Sequence, residues 1–549
     1  MAIELLTNIL GPNVALRKSG DYMQWRVDED SALWQNLMPL ADIQGLPGMD
    51  AAPTDVAVAG YVSTAGTSDT KTAVTNRIED RTFVIDSNYA SLEAAFAAVP
   101  VGGTLEIRGG YTRTVPFVID KACTVRFARN ASIVVTTEIA AVSITASNVT
   151  LENPKITGTG STTAGTGQGI SVIGTVGAPI TNLSIVNPII TEFTKHAIWL
   201  EYVDLFSVLR PTITNISYGG IMLLSCSRGI IAGGLIDNLT QPAGFVNSYG
   251  IAMTRDTTKT VAAAPHTNTI VVIGVTVSIA PWEGIDTHSG RNIKIIGNTV
   301  LSARIGIAIV GSNNTSGTLT YAAQEITVAN NTVDSRAYAD RSYGIIMVGA
   351  GPHAAVGDVV EYATGDITNN TVIDHGKDIS TSLFGAIFVY ATRGLNISQN
   401  RLVQANGAGV RTGLNNYGLR IVDNVFEDVY SVSQWASMLY FPSAGLEVYI
   451  AGNRFVRGTK TATYVNTRGV VGDNANLAST TMEDGGGNNW HVATELPSSG
   501  ITNMHKAAAY SLAPVLRANA ITSPTADVAA LKVAVDALRV ALTNYGITR

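Results

Sequence analysis

Between residues 150 and 460 a short apolar strand ending in Asn, Gly or Pro recurs ten or more times. The clearest copies are NIKIIGNTV (292–300), EITVANNTV (325–333), DITNNTV (366–372), LNISQNRLV (395–403), LRIVDNVF (419–426) and EVYIAGNRF (447–455). Their turn residues align as Asn298, Asn331, Asn370, Asn400, Asn424 and Asn453, and the same count run backwards assigns Val275, Gly233, Arg210, Asn187 and Asn153. The steps from 153 onward are 34, 23, 23, 42, 23, 33, 39, 30, 24 and 29. A basal step near 23 with variable extras describes one coil of a solenoid plus loop insertions. A coil that cannot bury its apolar face alone must stack on its neighbours. Asn side chains stacked at a corner would hydrogen-bond to one another and to backbone along the axis.

A second strand, preceded by Gly or Ala, lies between these copies: HAIWLEY (196–202), GGIMLLS (219–225), YGIAMTR (249–255), EGIDTHS (283–289), IGIAIVG (305–311), YGIIMVG (343–349), GAIFVYA (385–391) and AGVRTGL (408–414). Two or three strands per coil with interior Ile, Leu and Val predict an all-β chain, a right-handed single-stranded parallel β-helix. Composition agrees: charged residues are 14% of the chain and Gly numbers 53, which is strand-and-turn chemistry. A net charge of −6 with scattered Lys and Arg argues against duplex nucleic acid as a partner. Cys123 and Cys226 stand far apart in apolar stretches, so buried free thiols are expected rather than a disulfide framework or a metal site. The opening MAIELLTNILGP carries Glu4 and no cationic start, so no signal peptide is expected, and no stretch approaches a membrane span.

The chain divides into five parts. Residues 1–50 form a small N-terminal module, and 51–86 a linker with a helical neck. Residues 87–475 form the β-helix, opened by a capping helix in which Leu92, Ala95, Phe96 and Val99 share a face. Residues 476–524 read as a loop-rich connector. In 525–549, Val528, Leu531, Val535, Leu538, Leu542 and Tyr545 step by three and four, the a/d seam of a trimerising coiled coil; a buried surface helix is the other reading.

In this order a short N-terminal module, a helical neck, the segment YASLEAAFAAVPVGGTLEIRGGYTRT and the terminal ADVAALKVAVDALRVALTNYGI make the chain resemble a bacteriophage tail spike or tail fibre with a pectate-lyase-like β-helix. The resemblance covers roughly 87–475 and is specific for fold more than for activity. It implies a homotrimer in the virion tail, assembled in the host cytoplasm and attached through its N-terminus to other tail or baseplate proteins. It also implies binding of a host-surface polysaccharide, with hydrolytic cleavage, elimination and no cleavage all open, and neither a cofactor nor membrane insertion. A secreted bacterial lyase fits less well, for want of a signal peptide.

Alternation along the second strand points Ile198, Ile221, Ile251, Ile285, Ile307 and Ile345 inward. Outward it places Trp199, Met222, Ala252, Asp286, Ala308, Ile346, Ile387 and Arg411, then Glu201, Leu224, Thr254, His288, Val310, Val348, Val389 and Gly413. So apolar an outer face predicts a subunit interface. One coil, PWEGIDTHSGR (281–291), breaks the pattern. There Asp286 and His288 share a face between the small Ala252 and Ala308, with Trp282 and Glu283 at the preceding corner. Two readings are open: a sugar-cleaving site with Asp286, His288 and Glu283 as acid and base beside a Trp282 platform, or a hydrogen-bonded polar spot in an interface. Insertions at 239–268, 311–323, 334–342, 349–364 and 374–383 would wall a groove. They make Arg255, Asp256 and Arg341, with nearby Tyr343, candidate substrate contacts. No metal site is expected, since no loop carries spaced D-x-D-x-D ligands.

Overall fold

A computed structural model describes residues 83–337, 341–351, 358–376, 384–431, 436–441 and 447–462, with further strands at 14–19, 22–27, 35–39, 378–379, 382–383, 464–465, 468–472, 482–488 and 504–506. Residues 51–82 of the expected helical neck and the whole expected C-terminal coiled coil lie outside the described residues, while Phe83–Ile85, assigned to the neck, is a β-strand. The chain forms two compact units, Met1–Arg81 and Thr82–Arg549. In the first, Val14–Ser19, Tyr22–Val27 and Gln35–Pro39 form an antiparallel three-stranded sheet.

The second unit is a parallel β-helix. Each coil contributes one strand to each of three long sheets, which have 13, 16 and 13 strands among the described residues. In one coil, Ala280–His288 lies in sheet A, Arg291–Ile296 in sheet B and Thr299–Leu301 in sheet C, before Ala303–Val310 returns to sheet A. All eight Gly- or Ala-led strands belong to sheet A, in chain order. The expected inward column is a fully buried stack: Ile198, Ile221, Ile251, Ile285, Ile307 and Ile345 pair in register. Burying such a column removes about 2 kcal/mol worth of apolar side chain from water per coil, which is why stacking rather than any single coil stabilises the fold.

The corner between sheets B and C is built from two adjacent columns. Asn153, Asn187, Arg210, Gly233, Gly274, Gly297, Asn330, Asn369, Gln399, Asp423 and Gly452 all have positive φ, from 49° to 66°. Gly and Asn suit this left-handed turn because they adopt it at least cost. The next residue forms the buried ladder. Asn298 donates from its backbone N and its Nδ2 to Asn331 Oδ1, at 2.9 and 3.0 Å, and the pattern repeats through Asn370, Asn400, Asn424 and Asn453. The backward extension of the ladder therefore needs correcting by one residue: Gly233, Arg210, Asn187 and Asn153 occupy the left-handed column. The residues in ladder register are Pro154, Pro188, Pro211, Gly234 and Val275. Proline fits the upper coils because it has no N–H requiring an acceptor, whereas each lower coil supplies one with the next asparagine.

The ladder runs on beyond residue 475, where Asn453 donates to Asn488 Oδ1 at 2.9 and 3.0 Å. Met482–Gly486 and Met504–Lys506 extend sheet B, so the loop-rich description of 476–524 fails for these strands.

Helix α1, Leu92–Ala98, starts at Ser91, whose hydroxyl accepts from the Ala94 N–H at 3.1 Å, and buries Leu92, Ala95 and Phe96. It packs on the first strands of sheet B, with Phe96 edge-on to Phe117 at 5.5 Å between ring centres. Leu92, Ala95 and Phe96 thus share one buried face, as their spacing predicted. Removing the ring with Phe96→Ala should cost about 3 kcal/mol, read as a lower urea midpoint. Cys123 and Cys226 are buried free thiols, as expected. Among the described residues no helix is long and apolar enough to cross a membrane.

Candidate functional site

Sheet A carries three outward columns rather than two, because its strands bend at a column of small residues. A Cβ at Gly284 would lie 2.4 Å from Val300 Cγ1 and 2.6 Å from the Gly306 carbonyl, so this position faces the interior together with Ile285. The bend turns Glu283 outward, in line with Tyr249 below and Ile305 above. Asp286 follows, between Ala252 and Ala308 as the sequence predicted, and His288 lies opposite Val310. Simple alternation put Glu283 at a corner because it ignores the bend; the glycines of EGI, YGI and IGI were the available signal.

One coil thus presents three ionisable side chains in a row, and one ligand atom from each lies within 4.8 Å of the others. His288 Nε2 is 3.1 Å from Asp286 Oδ2. Asp286 is fully buried and Glu283 only 5% exposed, whereas the His288 side chain is 30% exposed. Glu283 Oε2 and Asp286 Oδ1 are buried without a hydrogen-bond partner.

Burial, and then the neighbouring Asp286 charge, push the Glu283 carboxyl up to about 8, against the opposing pull of His288, Trp282 and Arg304. Burial also raises Asp286, with His288 opposing it. For His288 burial disfavours the charged ring, but Asp286 and Glu283 outweigh it and hold the imidazole up to about 9. At neutral pH Glu283 is therefore largely protonated, and Asp286, raised as well, lies against the His288 imidazolium. Buried carboxyls raised beside an imidazole mark a site suited to acid–base chemistry.

This state makes stability depend on pH. The folded chain keeps the Glu283 proton that an unfolded chain, titrating near 4.5, releases. The stabilisation is complete below pH 4.5 and is lost as pH rises toward 8. Wild type should lose about 3 kcal/mol between pH 5 and pH 8.5 relative to Glu283→Gln, measured by urea denaturation at both pH values.

Aromatic side chains flank the row. Below it Met222, Leu224, Tyr249 and Ala252 pack with Trp199 and Tyr218; Phe245 stacks on Tyr218 at 4.5 Å, and Tyr249 meets His288 edge-on at 6.2 Å. Above it Ile305, Ala308 and Ile346 pack with Val310, Tyr343 and Phe388. Tyr343 stacks on Phe388 at 5.0 Å, and its hydroxyl accepts from Arg411 Nη1 at 3.1 Å. The Arg304 guanidinium lies 4.1 Å from the centre of the Trp282 ring.

Two expectations for this face change. In the coil of 385–390 the outward residues are Phe388 and Tyr390, not Ile387 and Val389, which are buried in the core. A one-residue slip moves every side chain to the opposite face. The apolar outer face is also largely covered within one chain: Met222, Leu224, Ile305 and Ile346 are all below 10% exposed. Neighbouring coils sit about 4.8 Å apart, so large side chains shield each other. Exposed apolar area therefore does not by itself call for a subunit interface.

The loop candidates divide. Arg255 is buried and its guanidinium donates to the carbonyls of Ala264, Asn313 and Lys259, so it fastens loops instead of facing a groove. Asp256 pairs with Lys259 at 3.0 Å and holds the Thr258 N–H and hydroxyl. Arg341 pairs with Asp374 at 3.1 Å, and the Tyr430 hydroxyl donates to the same carboxylate. Tyr343 alone of these joins the site's face, in the Glu283 column two coils on. The insertions do border sheet A on both edges, leading into it at 240–248 and out of it at 255–267 and 311–323.

No known family profile matches the sequence. No curated protein matches it either. Among solved structures, the catalytic domain of a GH87 alpha-1,3-glucanase in complex with nigerose is similar at 14% identity and a TM-score of 0.46, over 75% of this chain and 69% of that one. Geobacillus virus E2 ORF18 is similar at 10% identity and 0.32, over 88% and 73%. An alginate lyase from Paenibacillus sp. str. FPU-7 is similar at 15% and 0.35, over 70% and 97%. At these levels the likenesses say nothing about the chemistry of this chain.

Proposed function

We propose that this chain is a phage tail spike or fibre that binds a host-surface polysaccharide along the outer face of sheet A and cleaves it at the coil of residues 280–288. The observation that carries the proposal is the row of Glu283, Asp286 and His288 set within an aromatic face. Trp282 and Tyr343, both half-buried, offer ring surfaces for sugars, and protonated Glu283 is the proton donor to the leaving oxygen. Cleavage needs Asp286 ionised, which the His288 imidazolium 3.1 Å away favours, so that Asp286 takes a proton from the water that adds to the anomeric carbon as Glu283 protonates the leaving oxygen. Hydrolysis is the reaction that a proton-donating carboxyl paired with a second carboxyl suits. Homotrimerisation and attachment to the virion through the N-terminal module belong to the same proposal.

The test incubates the full chain with capsular and lipopolysaccharide glycans of host strains and follows chain length and new reducing ends. Shortening by wild type and not by Glu283→Gln is the expected result; no shortening of any glycan overturns cleavage. Sedimentation of the full chain should give three times 57.6 kDa; a monomer overturns the trimer. The complete burial of Asp286 favours a second reading, a non-catalytic receptor-binding fibre. Glycan retention without shortening would establish it.

A further inference from the structure

We infer that Glu283, Asp286 and His288 form a binding site for a single divalent transition cation of the zinc type. Three outward positions of one strand supply two carboxylates and an imidazole, with ligand atoms already within 4.8 Å of one another. A tetrahedral cation about 2.0–2.2 Å from each sets its ligands roughly 3.3–3.6 Å apart, so the widest pair must close by about 1 Å through side-chain rotation. Glu283 Oε2 and Asp286 Oδ1, on two of these side chains, are buried with no hydrogen-bond partner. Buried carboxylate oxygens are normally satisfied by a donor or a metal, and here no donor reaches them.

The surroundings select the metal. Ala252 and Ala308, paired with Asp286 from the neighbouring coils, and Ile305 and Val310 add no side-chain oxygen to the wall. Calcium and magnesium prefer six or more oxygen ligands, whereas one nitrogen and two oxygens with an open side suit zinc and its neighbours. His288, the exposed member, gives the ion its way in. The site uses the side chains of the proposed cleavage, and a bound cation would take the carboxylate and carboxyl that cleavage employs. Metal binding and cleavage are therefore mutually exclusive states of one site.

The test is calorimetric titration of chelator-treated full-length protein with zinc chloride and, separately, calcium chloride. One zinc per chain is expected, weakened at least tenfold in both Glu283→Gln and His288→Ala, with calcium not bound. A zinc-dependent rise in the unfolding temperature should appear in wild type and shrink in both variants. No zinc binding by wild type, or undiminished binding by both variants, overturns the inference. Zinc binding by a chain whose metal-free form shortens no glycan supports the metal site and removes the cleavage reading. Shortening that persists with zinc bound overturns the exclusivity.

Discussion

Asn370→Ala should lower the stability of the β-helix by about 4 kcal/mol, among the largest effects expected of any single polar substitution in this chain. The Asn370 side chain accepts from both the N and Nδ2 of Asn331, and donates to the Val328 carbonyl at 2.9 Å and to Asn400 Oδ1 at 2.9 Å. Alanine leaves two donors and two acceptors without these partners inside a fully packed corner, and no neighbour can turn to replace them. The effect should be local in origin yet global in outcome, because each coil is held only by the coils on either side. Asn369→Ala, one residue earlier on the exposed column, is the control. It loses one surface hydrogen bond and puts alanine at φ 54°, for about 1–2 kcal/mol. Urea denaturation of both variants measures the difference. Equal midpoints would mean that the buried ladder contributes no more than the turn beside it.

Glu283→Gln should reduce glycan cleavage by about 10²- to 10⁴-fold, the range for loss of a general acid. The amide keeps the shape of the side chain and cannot deliver the proton. Because the carboxyl is pushed up to about 8, wild-type cleavage should hold through neutral pH and fall as pH passes that value. The same substitution should make the protein more resistant to alkaline unfolding, since it removes a buried acid that ionises there. Loss of rate with gain of stability would mark Glu283 as a group retained for chemistry. Loss of both would mark a structural residue. Rates are measured as reducing ends released at several pH values, beside urea midpoints on the same preparations.

Much of the architecture was legible in the residues because a solenoid writes its contacts into a period. The Ile column of sheet A, the capping face of Leu92, Ala95 and Phe96, and the ladder from Asn298 to Asn453 each follow from repetition and from the alternation of strands. Pairing of Asp286 with Ala252 and Ala308 followed the same count. Errors arose where one residue more or less changes the face. Pro154, Pro188 and Pro211 replace asparagine in the ladder register, Ile387 and Phe388 exchange sides, and the Gly284 bend brings Glu283 round to join Asp286 and His288.

By itself the sequence determined the class of fold and the stacking order, because both depend on local strand preference and on a repeat near 23 residues. It also located the coil where ionisable side chains interrupt an apolar face. Only the tertiary structure decided which groups act together. Burial depth, the paired raising of Glu283 and Asp286, and the diversion of Arg255 to loop carbonyls depend on neighbours from other coils. Desolvation and charge coupling are set by atoms close in space, and a linear period specifies which coils are adjacent without specifying how their side chains fill the space between them.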